Sequence, residues 1–187
     1  MMFDWSEVWD RKARSGSNVH QEVSGFEHLE IDSREVAENL IKVIDLGPED
    51  TVLEIGCAVG IVARHLNVGA RYVGVDKSAE MIAKTIEMNR FSALRAEAND
   101  LPFKDKCFDK VFSFGVFHYF PNYDYMWQAV EEMLRVSRKL VLIADLPRVS
   151  HDKNHLLFSE RMFEEQGWSL SPAIFYRPER FDVIKYF

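Results

Sequence analysis

The apolar positions of this chain change period several times between its ends. Short β-branched runs alternate with stretches in which apolar residues return every three or four positions. The short runs predict strands at Thr51 to Ile55, Tyr72 to Val75, Ser92 to Ala96, Lys110 to Phe114 and Lys139 to Ala144, because β-branched and aromatic side chains suit a pleated, buried surface. Helical spacing is clearest in Val36, Leu40, Val43 and Ile44, which follow a capping Asp32 with Glu35 three residues on. Gly47-Pro48 is expected to close that helix. Further helices are expected at Ile61 to Leu66, Ala79 to Asn89 and Tyr123 to Val136, the last with an apolar stripe of Met126, Val130, Met133 and Leu134. The tail predicts a helix from His155 to Gln166, a stop at Gly167, and strands at Leu170 to Tyr176 and Phe181 to Phe187. Pro178 falls in the short link between those strands, which are read as an antiparallel pair at a sheet edge. Such alternation of strand and helix marks an α/β domain on a parallel sheet.

The first thirty residues stand apart. Asp4 to Lys12 has helical character, with Trp5 and Trp9 four apart on one face, and the polar Ser15-Gly16-Ser17-Asn18 follows. Residues 1–30 are read as an extension that either closes over a ligand as a lid or stays docked on the core. Residues 31–187 are read as one domain, since 187 residues allow one sizeable core and not two.

Composition narrows the function. The chain has 30 acidic and 23 basic side chains, a formal net charge of −7, and no basic run. A reader of the phosphate backbone needs clustered Lys and Arg, so nucleic acid is not an expected partner. No 18-residue uncharged apolar stretch occurs and the start lacks a leader pattern, so neither a membrane nor export is expected. With 2 Cys far apart in sequence, a reducing cytoplasm is the expected compartment. His151 and His155 lack the adjacent Glu of a zinc helix, and no metal site is expected. The 14 Phe, 6 Tyr and 4 Trp gather toward the ends, leaving only Tyr72, Phe91, Phe103 and Phe108 between Ile31 and Val111.

The residues that carry chemistry lie in that aromatic-poor stretch. Val52-Leu53-Glu54-Ile55-Gly56-Cys57-Ala58-Val59-Gly60 reads as a buried strand, a glycine-bracketed turn and a helix start. In an open parallel sheet such a loop lies at the carboxyl ends of the strands, where ligands bind. Asp76 ends the second strand, where a carboxylate can accept both hydroxyls of a ribose. Glu54 sits inside an apolar run, which is costly unless the acid is paired or meets a cationic ligand group. The dinucleotide pattern G-x-G-x-x-G is missing, with Ala58 and Ile61 at its second and third glycines. A ligand with a positive end therefore suits this loop better than a pyrophosphate.

On these residues the chain resembles the class I S-adenosylmethionine-dependent methyltransferases, in particular their small-molecule branch of ubiquinone- and sugar-type enzymes. Glu54, Gly56 and Gly60 match the family's first motif, with Ala58 in place of its common middle glycine. The resemblance extends through Ala96-Glu97-Ala98-Asn99-Asp100-Leu101-Pro102-Phe103 and Phe108 to Tyr119, and covers about Asp32 to Ala144. It implies a Rossmann-like, seven-stranded, mostly parallel sheet with helices on both faces and an antiparallel carboxyl-terminal edge hairpin. It implies S-adenosylmethionine as cofactor, with the loop from Gly56 through Cys57 and Ala58 to Gly60 around its amino-acid end and Glu54 acting on that end. Asp76 would hold the ribose. Lys77, Ser78, Met81 and Ser113 would lie nearby, Glu97 would accept from the adenine amine, and the Ala98 N–H would donate to a ring nitrogen.

Methyl transfer from a sulfonium is an in-line displacement, to which a general base adds only where the acceptor holds its proton tightly. His118, with Tyr119 beside it, is the candidate base because it follows the fourth strand. Trp5, Trp9, Phe117 and Tyr119 are expected to wall a pocket for a small, partly apolar acceptor, with His20 on the same side, while Trp168, Phe175, Tyr176 and Phe181 are expected to fill core. The acceptor is expected to be a small metabolite methylated on oxygen or nitrogen, and the protein a monomer or homodimer. Two other readings share these residues: a non-catalytic S-adenosylmethionine-binding sensor or complex subunit, and a nicotinamide-dependent oxidoreductase.

Overall fold

A computed structural model describes residues 4–26, 28–66, 71–89, 91–150 and 152–187. The elements run α1 (Ser6–Ala13), α2 (Ser33–Val43), β1 (Val52–Ile55), β2 (Tyr72–Asp76), α3 (Ala79–Met88), β3 (Ser92–Arg95), β4 (Phe108–Phe114), α4 (Tyr123–Val136), β5 (Ser137–Pro147), α5 (Glu160–Glu164), β6 (Ser169–Ser171) and β7 (Arg180–Tyr186). One 7-stranded sheet has the order β3-β2-β1-β4-β5-β7-β6. β1 pairs in parallel with β2 and β4, and β5 in parallel with β4, whereas β7 runs antiparallel to β5 and β6 antiparallel to β7. The chain order reverses across β1, so the crevice between β1 and β4 is the switch point at which this architecture opens to ligands.

Period 2 along the central strands divides the core between the two faces. Val111 of β4 and Val141 and Ile143 of β5 point into the layer under α4, which also holds Met126, Val130, Met133, Phe163 and Trp168. Phe112, Phe114, Leu140 and Leu142 point the other way, onto Val36, Leu40 and Ile44 of the α2 segment. The caps are those of their sequence: Asp32 accepts from the amides of Arg34 and Glu35, Ser78 from Met81, and Asn122 from Tyr125, filling donors that a helix start leaves open. A third, smaller cluster of Ala13, Val23, Val59 and Met81 seats the amino-terminal segment on α3.

Several expected elements are shorter. Ile61 to Leu66 forms only a 3-10 turn at Ala63–His65, because the glycine loop uses the residues before it. The helix of the β1 approach ends at Val43, with Asp45 left-handed before Gly47-Pro48 is reached. The expected helix from His155 is reduced to Glu160–Glu164. Residues 156–158 instead lie outside any helix, with the Leu156 amide on the His118 carbonyl at 3.0 Å and the Phe158 amide on that of Pro147 at 2.8 Å. β6 stops at Ser171 because Pro172 brings no N–H to the ladder. Tyr176, expected in the core, is consequently outside the sheet and 78% exposed. Among the described residues no helix is long and apolar enough to cross a membrane.

Candidate functional site

A cavity of about 840 Å³ opens at the carboxyl ends of β1, β2, β4 and β5. That volume is near the upper end of the ~300–1,000 Å³ usual for small-ligand sites, and suits two ligands side by side. Its lining includes Glu54, Gly56, Cys57, Ala58, Asp76, Lys77 and Ser78. Gly56 turns with φ +72°, and a Cβ there would stand 2.4 Å from Val116 Cγ2, so this position needs glycine on two counts. Ala58 also lies in the left-handed region, at φ +43°. Ala58 thus carries a Cβ in a backbone conformation that glycine adopts freely, a strain of roughly 1–2 kcal/mol. Gly60 does not line the cavity; the Phe91 ring lies where its Cβ would be.

The loop amides are engaged within the fold. Gly56 and Cys57 both donate to the Val75 carbonyl at 2.8 and 3.0 Å, and Ala58 donates to Asp76 Oδ2 at 3.0 Å. Asp76 Oδ1 also accepts from the Ser78 amide at 2.9 Å. Burial raises the Asp76 carboxyl above its ordinary range, and these two amides oppose the shift. A carboxylate has about four acceptor sites, so Asp76 keeps capacity for hydroxyl donors. Glu54 is buried in β1 and accepts from the Tyr72 hydroxyl. Burial pushes its pKa up to about 8, with the Tyr72 hydrogen bond opposing and the Asp76 charge adding to the rise. An ammonium group brought beside Glu54 would restore its charge, which fits the amino-acid end of S-adenosylmethionine.

Elsewhere the expected cofactor residues have partners within the fold, and of Glu97 and Ala98 only Ala98 lines the cavity. Tyr125, from the first turn of α4, donates its hydroxyl to Glu97 Oε2 at 2.8 Å and accepts from the Ala98 amide at 3.1 Å. One tyrosine thereby takes both the acceptor and the donor that the adenine was expected to use. Glu97 also makes an ion pair at 3.6 Å with Lys77, which lines the cavity. Met81 is fully buried in the cluster under α1, and Ser113 donates to the Ile55 carbonyl at 3.1 Å inside the sheet. Neither lines the cavity. Ser78 does, but its hydroxyl caps α3 and donates to Asp10 of α1.

The other side of the cavity is aromatic. Trp5 packs edge-on to Tyr119 with centroids 4.8 Å apart and lies 4.9 Å from the His155 ring. Trp9 meets Tyr119 edge-on at 5.0 Å. His118 stacks obliquely on Tyr119 at 4.0 Å and meets His155 at 4.7 Å. All five line the cavity. Phe117 does not: it is buried in the α4 layer against Phe120, because the 3-10 turn Phe117–Tyr119 points its first side chain inward. His20 is also remote from the lining, bonded to Asn89 at 3.1 Å beyond the end of α3. His151 lies outside the described residues.

The lining residues that were not foreseen include Tyr125, Asp145, Arg177 and Arg180. Asp145 had a legible signal, since it follows the apolar run of β5 as Asp76 follows that of β2. The arginines had none, because their loop reaches the site only through the pairing of β7 with β5.

Residues 53–143 match a protein-family model described as a methyltransferase domain. The human protein named probable tRNA methyltransferase 9B is 33% identical over 92 residues, 48% of this chain and 19% of that protein. The chain spans 38% and 19% of the length of two curated relatives it matches. A structure of the Haloferax volcanii Trm112 methyltransferase activator complexed with a methyltransferase aligns with TM-score 0.68 and 18% identity, over 94% of this chain and 96% of that one. Magnesium protoporphyrin IX methyltransferase from Synechocystis, with bound S-adenosylmethionine, aligns with TM-score 0.63 and 14% identity over 95% and 88%. At these identities the two structural likenesses carry the fold.

Proposed function

We propose that this chain, whose residues 53–143 match a methyltransferase-domain model, is a class I S-adenosylmethionine-dependent methyltransferase that transfers the cofactor's methyl group to an oxygen or nitrogen of a small metabolite. The observation that carries this reading is the continuity of one cavity between two unlike walls. Glu54, Gly56 and Asp76 stand on one side, and Trp5, Trp9, His118 and Tyr119 on the other.

S-Adenosylmethionine supplies an electrophilic methyl group on a sulfonium. Glu54 would ionise to hold the cofactor's ammonium, and Asp76 would accept from the ribose hydroxyls with the acceptor sites its two amides leave. The aromatic wall would orient the acceptor and exclude water, the main source of acceleration in an in-line displacement. His118, with Tyr119 against it, would take the acceptor's proton where that proton is tightly held. The amino-terminal segment acts as a lid in this reading. It is held over the cofactor side by Asp10 on Ser78 and Arg14 on Glu80, and it carries Trp5 and Trp9 to Tyr119.

A net charge of −7 and an aromatic wall favour a small acceptor over tRNA. The test is transfer of tritiated methyl from S-adenosylmethionine, run in parallel on a metabolite extract and on total tRNA. Label in a small-molecule fraction is expected. Label in tRNA alone would overturn the acceptor assignment, and binding of NAD without S-adenosylhomocysteine would overturn the whole reading.

A further inference from the structure

The acceptor side of the cavity contains a charged group that methyl transfer itself does not require. Asp145 lies near the carboxyl end of β5, beside the end of β4, where its Oδ2 is 3.5 Å from the point a Cβ on Gly115 would occupy. Its side chain is 2% exposed and faces two arginines, Arg177 in the loop that enters β7 and Arg180 at the start of that strand. Arg177 takes both carboxylate oxygens in a fork, Nε to Oδ1 at 3.0 Å and Nη2 to Oδ2. One guanidinium already compensates this carboxylate.

Arg180 is therefore surplus to that pair. Its Nη1 donates to the Asp145 carbonyl at 3.0 Å and lies 3.5 Å from Oδ2, while no hydrogen bond among the described residues engages Nε or Nη2. The side chain is only 14% exposed and lines the cavity. Other charges nearby are committed elsewhere. Arg148 forks onto Glu160, and the two Asp182 oxygens accept the amides of Asp145 and Ile174. Glu179, exposed on the same rim, makes no ion pair among the described residues. Burial lowers Arg180 from the ordinary arginine value; Asp145 opposes that shift, Arg177 adds to it, and the Tyr119 and Glu179 charges oppose it. A mostly buried guanidinium with an unfilled Nε/Nη2 edge presents the geometry that a carboxylate fills with two parallel hydrogen bonds.

We infer that Arg180 seats the carboxylate of the methyl acceptor, which is a small aromatic or heteroaromatic acid whose ring lies against Trp5 and Tyr119. This rests on the proposed methyl transfer for the word acceptor, but its own readout is independent of the cofactor.

The test compares acids with their neutral amides: benzoate with benzamide, 4-hydroxybenzoate with 4-hydroxybenzamide, and indole-3-acetate with indole-3-acetamide. Binding is followed by calorimetry, with and without saturating S-adenosylhomocysteine, and the cofactor's own affinity is measured separately. At least one acid is expected to bind tenfold or more tightly than its amide. Arg180→Met should reduce that preference to within about twofold at unchanged cofactor affinity, and Arg180→Lys, which keeps the charge without the fork, should retain only part of it. Absence of acid preference in every pair overturns the inference, as does a preference unchanged in the variants. Should Arg180→Met fail to fold, Arg180→Lys carries the same decision. Loss of cofactor binding with acid preference intact would sink the proposed function and leave the anion seat standing.

Discussion

The Ser78 hydroxyl donates to the Asp10 carboxylate, joining the amino-terminal helix to the first turn of α3 two residues from Asp76. The amino-terminal helix and the end of β2 are thus linked through the start of α3. Such a bond to a charged group is worth about 1.5–3 kcal/mol. Asp10→Ala should lower the thermal midpoint by about 3–8 °C and accelerate tryptic cleavage at Arg11, Lys12 and Arg14. Cleavage at the parent rate would show that this bond does not hold the segment down.

Glu54 makes stability depend on pH in a defined direction. Its folded pKa is about 8 against an ordinary 4.5, so the folded state favours the neutral acid. The corresponding stability is fully present below pH 4.5 and is lost as pH rises toward 8, by on the order of 4 kcal/mol. Glu54→Gln, which retains an acceptor for the Tyr72 hydroxyl, should flatten the stability profile between pH 5 and 8 and weaken S-adenosylhomocysteine binding. In the parent, binding at pH 7 should release close to one proton. Coincident stability profiles for parent and variant would refute this assignment.

Gly56→Ala places a methyl group against Val116 on a left-handed residue. Strain and overpacking together should cost about 3 kcal/mol. Adding Val116→Ala removes the close contact but not the backbone strain, so the double variant should recover roughly half of the loss. A denaturant series on the three variants measures this, and simple additivity would mean that the two residues do not meet.

Tyr125 holds both Glu97 and the Ala98 amide. Tyr125→Phe frees them for an adenine, and S-adenosylhomocysteine should bind several-fold more tightly. Weaker binding would mean that the hydroxyl itself contacts the cofactor, or that adenine sits elsewhere.

His118→Asn tests the proposed base. A general base contributes about 10²–10⁴-fold, so turnover with the true acceptor should fall by at least a hundredfold, with cofactor affinity unchanged. A loss of threefold or less removes His118 from that role.

The strands and the first motif were legible because their signal is local. The short β-branched runs at Thr51 to Ile55 and Lys110 to Phe114 read as strands from their own residues, and the glycine-bracketed turn after the first gained its specificity from Glu54 before it and Asp76 at the end of the next strand. Tyr125 was legible only as part of a helix. Its hydroxyl meets Glu97 because α4 packs across the loop after β3, a contact 28 residues apart in sequence. Met81, Ser113 and Phe117 erred in the opposite way: each stands in a motif, but the local backbone turns its side chain into the core.

By itself the sequence determined which side chains occupy the ends of β1 and β2, since a strand's period and a glycine's freedom act over a few residues. Only the tertiary structure decided what surrounds them. Trp5 and Trp9 reach Tyr119 through the docking of α1 on α3, and Arg177 and Arg180 reach Asp145 through the antiparallel return of β7 along β5. Those approaches depend on buried area and hydrogen bonds summed over the whole sheet, which no local pattern records.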